Sequence, residues 1–263
     1  MYVLKSRREI EMMRRAGQVA CQVLARMREA AVAGVSTGEL DMIAREEMLK
    51  NGAVSGSRNY PTYEEGKGFP GFTCVSVNEE IVHGIPGKRV LKTGDVVSLD
   101  VALHVNGYCA DTCATVAIGQ TSSLAQKLLD VTRSTLFMAI ENIRPGRRWS
   151  EIARMIQKTV EGNGFSVVRE FVGHGIGRQM HEDPKVPNFV TGEGLRGDFE
   201  LRPGMTLAVE PMVVAGKRDV KQLKDNWTMV TADGKPAAHF EHTVAVTDVG
   251  VDVLTDGRQA FTL

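Results

Sequence analysis

Two aspartates stand inside what otherwise reads as sheet interior. In SLDVALHVNGYCADT, residues 98–112, the Asn106-Gly107 pair lies between runs of Val, Leu and Ala. Such a pair signals a two-residue type I′ hairpin, because both central residues of that turn need positive φ. Val105 then pairs with Tyr108, and Ala102 with Asp111. Cross-strand partners share a face, as do alternate residues along one strand. Asp100, Ala102 and Asp111 therefore lie on one face, with the carboxylates as diagonal neighbours roughly 7–8 Å apart at Cα. Unpaired buried carboxylates repel each other and lose hydration, at a cost of several kcal/mol. Either one of them is protonated or a cation sits between them, and the rest of the chain has to provide for it.

The bulk composition excludes more than it assigns. Basic and acidic residues balance at 32 each, so there is no electrostatic footprint for nucleic acid or an anionic membrane. The N-terminus, MYVLKSRREIEMMRRAG, lacks the apolar core of a signal peptide, and no apolar run approaches the ~18–20 residues of a membrane span. The cytoplasm is the expected compartment. Four cysteines are too few and too scattered for a disulfide scaffold. Cys109 and Cys113 bracket Asp111 on its own face, but a C-x3-C without a second pair is a poor zinc signal, so both are expected to be reduced packing residues.

The chain also repeats itself faintly. GVSTGELDMIAREEMLKNG (34–52) aligns without gaps to GRRWSEIARMIQKTVEGNG (146–164). Each segment has a candidate N-cap (Ser36 or Thr37; Ser150), helical apolar spacing and a terminal Asn-Gly stop. Longer amphipathic helices precede them at roughly 7–31 and 121–143. Further on, HGIPGKRVLKTGDVVSLD is echoed by HGIG and by LRPGMTLAVE, which sets Asp100 against Glu210. The expectation is an α+β fold in one domain, 1–263, made of pseudo-twofold halves at approximately 7–120 and 121–250. Curved antiparallel strands occupy its middle, helices lie outside, and a site falls in the cleft between the halves.

Three further residues join the aspartates as candidates. Glu210 closes the apolar run MTLAVEPMVV, Glu241 sits within HFEHTVAVT, and His174 lies between glycines in FVGHGIGRQMH, where backbone and ligand can approach closely. Four carboxylates in apolar strands are hard to bury unless divalent charge neutralises them. The set Asp100, Asp111, His174, Glu210 and Glu241 is hard oxygen plus one imidazole. It suits Mn, Fe, Co or Zn and exceeds what one tetrahedral zinc takes. Two ions fit better, and paired ions are the usual equipment of metal-assisted hydrolysis.

At this point the chain resembles a family, the type I methionine aminopeptidases of pita-bread fold. The likeness runs through RREIEMMRRAG, VNEEIVHGIP, LKTGDVVSLDV, NGYCADT, FVGHGIGRQMHEDP, LRPGMTLAVEPM and FEHTVAVT, in the family's order and spacing. It implies removal of the N-terminal methionine from peptides and from nascent chains as they emerge at the ribosome, favouring small penultimate residues; a monomer is the default expectation. It puts the ligands of two divalent ions on the same five residues: Asp111 and Glu241 bridging, Asp100 chelating, His174 and Glu210 completing the second ion. Glu210 is then the general base, His181 the donor to the scissile carbonyl oxygen, and His83 a contact nearer the leaving side. The same likeness arranges Phe69, Cys74, His83 and Trp227 around the methionine pocket. Residues 55–72 depart from the family by their length and by lacking an aromatic near Gly66, and Met180 stands where an aromatic is common.

Other residues carry duller expectations. His104 is read as a packed imidazole or an outer neighbour of the acids, His239 as an outer neighbour of Glu241 at most, and His242 as core or surface. RREIEMMRR reads as an ordinary solvated helix face. Among rivals, prolidases and aminopeptidase P share the five ligands but usually carry a large N-terminal domain. Type II methionine aminopeptidases need an insert between His181 and Glu210, and a dead binding module would have lost ligands.

Overall fold

The structure is a computed structural model, and it describes residues 2–61, 68–192 and 194–257. Gly66, where an aromatic is missing from the family pattern, lies outside the described residues. Helix α1 (Arg7–Ala30) opens on a capping box in which the Ser6 hydroxyl accepts from Glu9 N–H while the Glu9 carboxylate accepts from Ser6 N–H. Helix α2 (Thr37–Lys50) repeats the device with Ser36 and Glu39, and it ends at Asn51 followed by Gly52 at φ 63°.

Short β1 (Val54–Ser55), β2 (Cys74–Val77) and β3 (Glu80–Val82) lead into the long hairpin of β4 (Val96–Val105) and β5 (Tyr108–Ala117). Its register is the expected one, with Val105 opposite Tyr108 and Ala102 opposite Asp111, and Asn106 and Gly107 both have positive φ, 51° and 79°. Helix α3 (Ser123–Glu141), capped by Ser122, and α4 (Trp149–Gly162) follow. Ser150 does not cap α4. Arg148 holds the N-cap position but its side chain makes no capping bond, and Asp198, from a distant loop, accepts from Ser150 N–H at 2.9 Å and from its hydroxyl at 2.8 Å. The capping oxygen is supplied by tertiary contact, so no local pattern announces it.

The later strands are short: β6 (Ser166–Val167), β7 (Gly173–Gly175), β8 (Glu182–Val186), β9 (Thr206–Val209), β10 (Met212–Val214), β11 (Val220–Gln222), β12 (Met229–Thr231), β13 (Ala237–His239), β14 (Glu241–Val246) and β15 (Val251–Val253). The main antiparallel sheet runs β1-β4-β5-β14-β9-β7-β8, with β2 also on β4 and β15 on β14. Strands β10, β13 and β6 form a second sheet, and β11, β12 and β3 a third. The chain steps from the main sheet into the second at Glu210-Pro211, between β9 and β10, and returns to it at Phe240, between β13 and β14.

Each helix pair covers its own group of strand residues. Met27 of α1 and Leu40 and Met48 of α2 pack with Leu99 and Leu103 of β4, while Leu128, Trp149 and Ile156 pack with Leu207 and Val244. Burying each such side chain stabilises by about 1.5–3 kcal/mol. Strand alternation then decides where the acids go: Leu99, Val101 and Leu103 turn to the helices, so Asp100 and Ala102 turn to the opposite face.

Candidate active site

The hairpin delivers its acids in a row with the neighbouring strands. Cys74 is opposite Asp100, Asp100 opposite Cys113, and Cys113 opposite Glu241. Asp100 and Glu241 thus flank one strand on a common face, with Asp111 one diagonal away. All four cysteines are free thiols, and burial beside these carboxylates pushes Cys74 and Cys113 well above the ordinary thiol range, which keeps them neutral.

His174 comes from β7, but its glycines serve strand packing rather than a ligand. A Cβ on Gly173 would lie 2.3 Å from the Ala208 carbonyl oxygen, and one on Gly175 would lie 2.3 Å from that of Asp183. Only glycine lets three strands close in around this histidine. His174 Nδ1–H donates to the Gly175 carbonyl at 2.9 Å, which leaves Nε2 directed at the acids, 3.6 Å from Glu210 Oε1 and 3.9 Å from Asp111 Oδ2.

Glu210 is not embedded in a strand. It stands one residue past β9, held by Asn188 Nδ2–H donating to its carbonyl at 2.9 Å, and Pro211 behind it has no N–H to continue a ladder. Glu241 begins β14 after a comparable break, which the hairpin's threonines secure. Thr115 Oγ1 accepts from His239 N–H and donates to the His239 carbonyl, both at 2.8 Å, and Thr112 Oγ1 donates to the Glu241 carbonyl at 2.9 Å. His239, expected at most as an outer neighbour, is buried in the site, its Nε2 3.4 Å from Glu210 Oε2 and 3.9 Å from Glu241 Oε2. The two-residue spacing to Glu241 was its one sequence signal.

These side chains fit divalent cations. Asp111, His174 and Glu241 present ligand atoms that all lie within 4.8 Å of one another, and Asp100 and Glu210 line the same cavity. Asp111 Oδ1 and Glu241 Oε1 are buried and have no hydrogen-bond partner among the described residues. Burial, then the neighbouring carboxylates, pushes Asp111 and Glu241 well above the ordinary carboxylate range. Burial likewise raises Asp100 to about 6. Such a group of acids stays ionised only when opposite charge is brought to it.

The cavity holds about 390 Å³ and is apolar beside the acids. Phe69 is buried edge-on to Trp227 with centroids 5.2 Å apart, and Cys74 and Met180 complete the wall with Val82. His83, at φ 59°, is turned in because Gly84 is clasped against β2, accepting from Val75 N–H and donating to Ser76 Oγ. Burial pushes His83 down to about 4, so it is a neutral imidazole, edge-on to Phe171 at 5.4 Å. His181 stands at the mouth, its ring 4.2 Å from that of His174. Tyr60 and Phe171 also line the cavity, and no sequence pattern singles either out. His104 is turned elsewhere, its Nδ1 3.2 Å from Cys109 Sγ, and His242 bonds Thr255 on the far side of β14.

Comparison with known proteins agrees with this geometry. Residues 11–248 match the model of metallopeptidase family M24. A methionine aminopeptidase 1 of Bacillus subtilis (strain 168) is 48% identical over 97% of this chain and 99% of its own. The crystal structure of methionine aminopeptidase from Thermotoga maritima superposes with a TM-score of 0.90 at 42% identity, covering 97% of this chain and 99% of that one. An Xaa-Pro dipeptidase from Bacillus anthracis shares the fold at TM-score 0.75 and 23% identity, but this chain covers only 63% of it, as expected if such enzymes carry a further domain. No described helix is long and apolar enough to cross a membrane. A likeness of this extent to enzymes of one kind, joined to a buried group of acids and imidazoles that calls for cations, means that the chain belongs to metallopeptidase family M24, among its methionine aminopeptidases.

Proposed function

We propose that this chain removes N-terminal methionine from peptides and nascent chains, using two divalent ions held by Asp100, Asp111, His174, Glu210 and Glu241. The carrying observation is that all five side chains line one cavity whose wall also includes Phe69, Cys74, His83 and Trp227. When bound, the ions polarise the scissile carbonyl and acidify water. Glu210 takes the proton of the attacking water and passes it to the departing amine nitrogen as the C–N bond breaks. His181 donates to the carbonyl oxygen as charge develops there, and His83 contacts the peptide nearer the leaving side. The aromatic rings and the neutral Cys74 thiol suit a flexible, polarisable methionine side chain. Preference for a small second residue and work close to the ribosome rest on the family resemblance, while a cytoplasmic location and a monomeric state are the default expectations of the sequence.

The test is hydrolysis of Met-Ala-, Met-Val- and Leu-Ala-peptides after loading with Mn, Fe, Co or Zn, with an X-Pro peptide alongside. Cleavage after methionine, about two ions per chain and no X-Pro turnover are expected. His181→Ala should lower kcat by about 10–1000-fold with metal content intact. Metal loss in parallel with activity would mean that His181 is a ligand and the assignment of roles is wrong.

A further inference from the structure

His181 has a second ring nitrogen, and its partner is built for the purpose. Nδ1 lies 2.8 Å from the Tyr60 hydroxyl, and the two rings meet edge-on with centroids 5.3 Å apart. Tyr60 is fixed by its backbone. Its N–H donates to Ser57 O at 2.9 Å, its carbonyl accepts from Phe69 N–H at 3.0 Å, and Asn59 N–H donates to Phe69 O at 2.9 Å. The clasp that seats the pocket ring of Phe69 therefore also aims Tyr60 at His181. Of the two groups the phenol is the stronger acid and the imidazole nitrogen the stronger base, so the hydroxyl donates and Nδ1 accepts. A neutral imidazole that accepts at Nδ1 carries its proton on Nε2.

We propose that Tyr60 is a positioning residue, whose hydroxyl fixes His181 as the Nε2–H tautomer with that proton free for the scissile carbonyl oxygen. The inference rests on the role given to His181 above. Without the hydroxyl the ring is free to hold its proton on either nitrogen, and only one arrangement donates.

The experiment compares Tyr60→Phe, His181→Ala and the double variant as metal-loaded enzymes on Met-Ala-Ser. It also records the imidazole ¹⁵N spectrum of the zinc-loaded wild type and of zinc-loaded Tyr60→Phe. Phenylalanine keeps the ring, so only the hydroxyl is removed. Expected for Tyr60→Phe are a fall in kcat of about 3–10-fold, the scale of one neutral hydrogen bond, KM within about twofold and unchanged metal content. The double variant should be no slower than His181→Ala, because both changes act on one group. His181 should change from a single Nε2–H tautomer to a mixture. Wild-type kcat and an unchanged tautomer in Tyr60→Phe, beside a slow His181→Ala, would overturn this inference and leave the role of His181 standing. Losses that add in the double variant would also overturn it, since Tyr60 would then act elsewhere. A His181→Ala enzyme at wild-type rate would remove the role of His181 and this inference with it.

Discussion

Asp100 and Asp111 ride on β4 and β5, two uninterrupted strands paired from Val96–Ala117 to Val105–Tyr108 without a shift. Glu210 stands just past the end of β9, before a proline, and Glu241 is the first residue of β14, just after the break at Phe240. The faint repeat aligns Asp100 with Glu210, yet one acid is carried by a ladder and the other by a break. A regular strand fixes which face a side chain takes but keeps it in the sheet's rows. A break lets the chain turn a carboxylate out of those rows, provided other groups satisfy the freed backbone. Here the regular half supplies them: Thr112 and Thr115 of β5 lace the later half's break, and Thr243 Oγ1 accepts from Asp111 N–H and donates to its carbonyl in return.

The comparison is broken most directly by removing one acid from each half. Asp111→Asn and Glu241→Gln should each lower kcat/KM by about 100-fold or more, beyond the roughly 10–100-fold of an outer partner, with metal loss seen by elemental analysis. If one of the two keeps its activity, the site belongs to a single half. His239→Asn should cost about 10–100-fold in activity or metal affinity, and a silent change would return His239 to the packing role. Gly173→Ala tests the crowding of the later strands. Its Cβ meets the Ala208 carbonyl, so urea unfolding should show a loss of about 1–3 kcal/mol or more. Thr115→Val deletes the hydroxyl that serves both backbone groups of His239 and should cost about 1–3 kcal/mol, whereas an unchanged midpoint would mean that the break holds itself.

The smallest effect is one of direction. An acid whose folded pKa exceeds its unfolded value keeps a proton that the unfolded chain has released, so stability falls as pH rises through that window. For Asp100 the window runs from about 4 to about 6, and Asp111 and Glu241 extend it upward. Metal-stripped protein should therefore melt lower at pH 8 than at pH 5, while metal-loaded protein gains most at the higher pH because its ligands must be deprotonated. A stripped protein that grows more stable with pH would show that these acids are paired some other way.

How much could be read beforehand follows from the same contrast. The type I′ turn, the diagonal of Asp100 and Asp111 and the Asn-Gly stop of α2 are all local, and each was legible. Asp198 capping α4 was not, because its partner lies 48 residues away from Ser150. Glu210 was mistaken for a strand residue because an apolar run reads alike whether or not the ladder ends within it. His239 was undervalued because parity gives a face, not the meeting of that face with Glu210. Tyr60 had no signal at all, since it is aimed by backbone bonds of Asn59 and Tyr60 with Phe69, which no residue type announces.

The amino-acid sequence determined which groups had to be neutralised, the faces they took along continuous strands, and the need for cations, since these depend on residue type and on periods of two and 3.6. Tertiary structure alone decided where the sheets exchange strands, which hydroxyls satisfy the breaks, and which rings meet over the cavity. Those choices depend on contacts between segments far apart in the chain, and their energies exist only once the two halves have closed on each other.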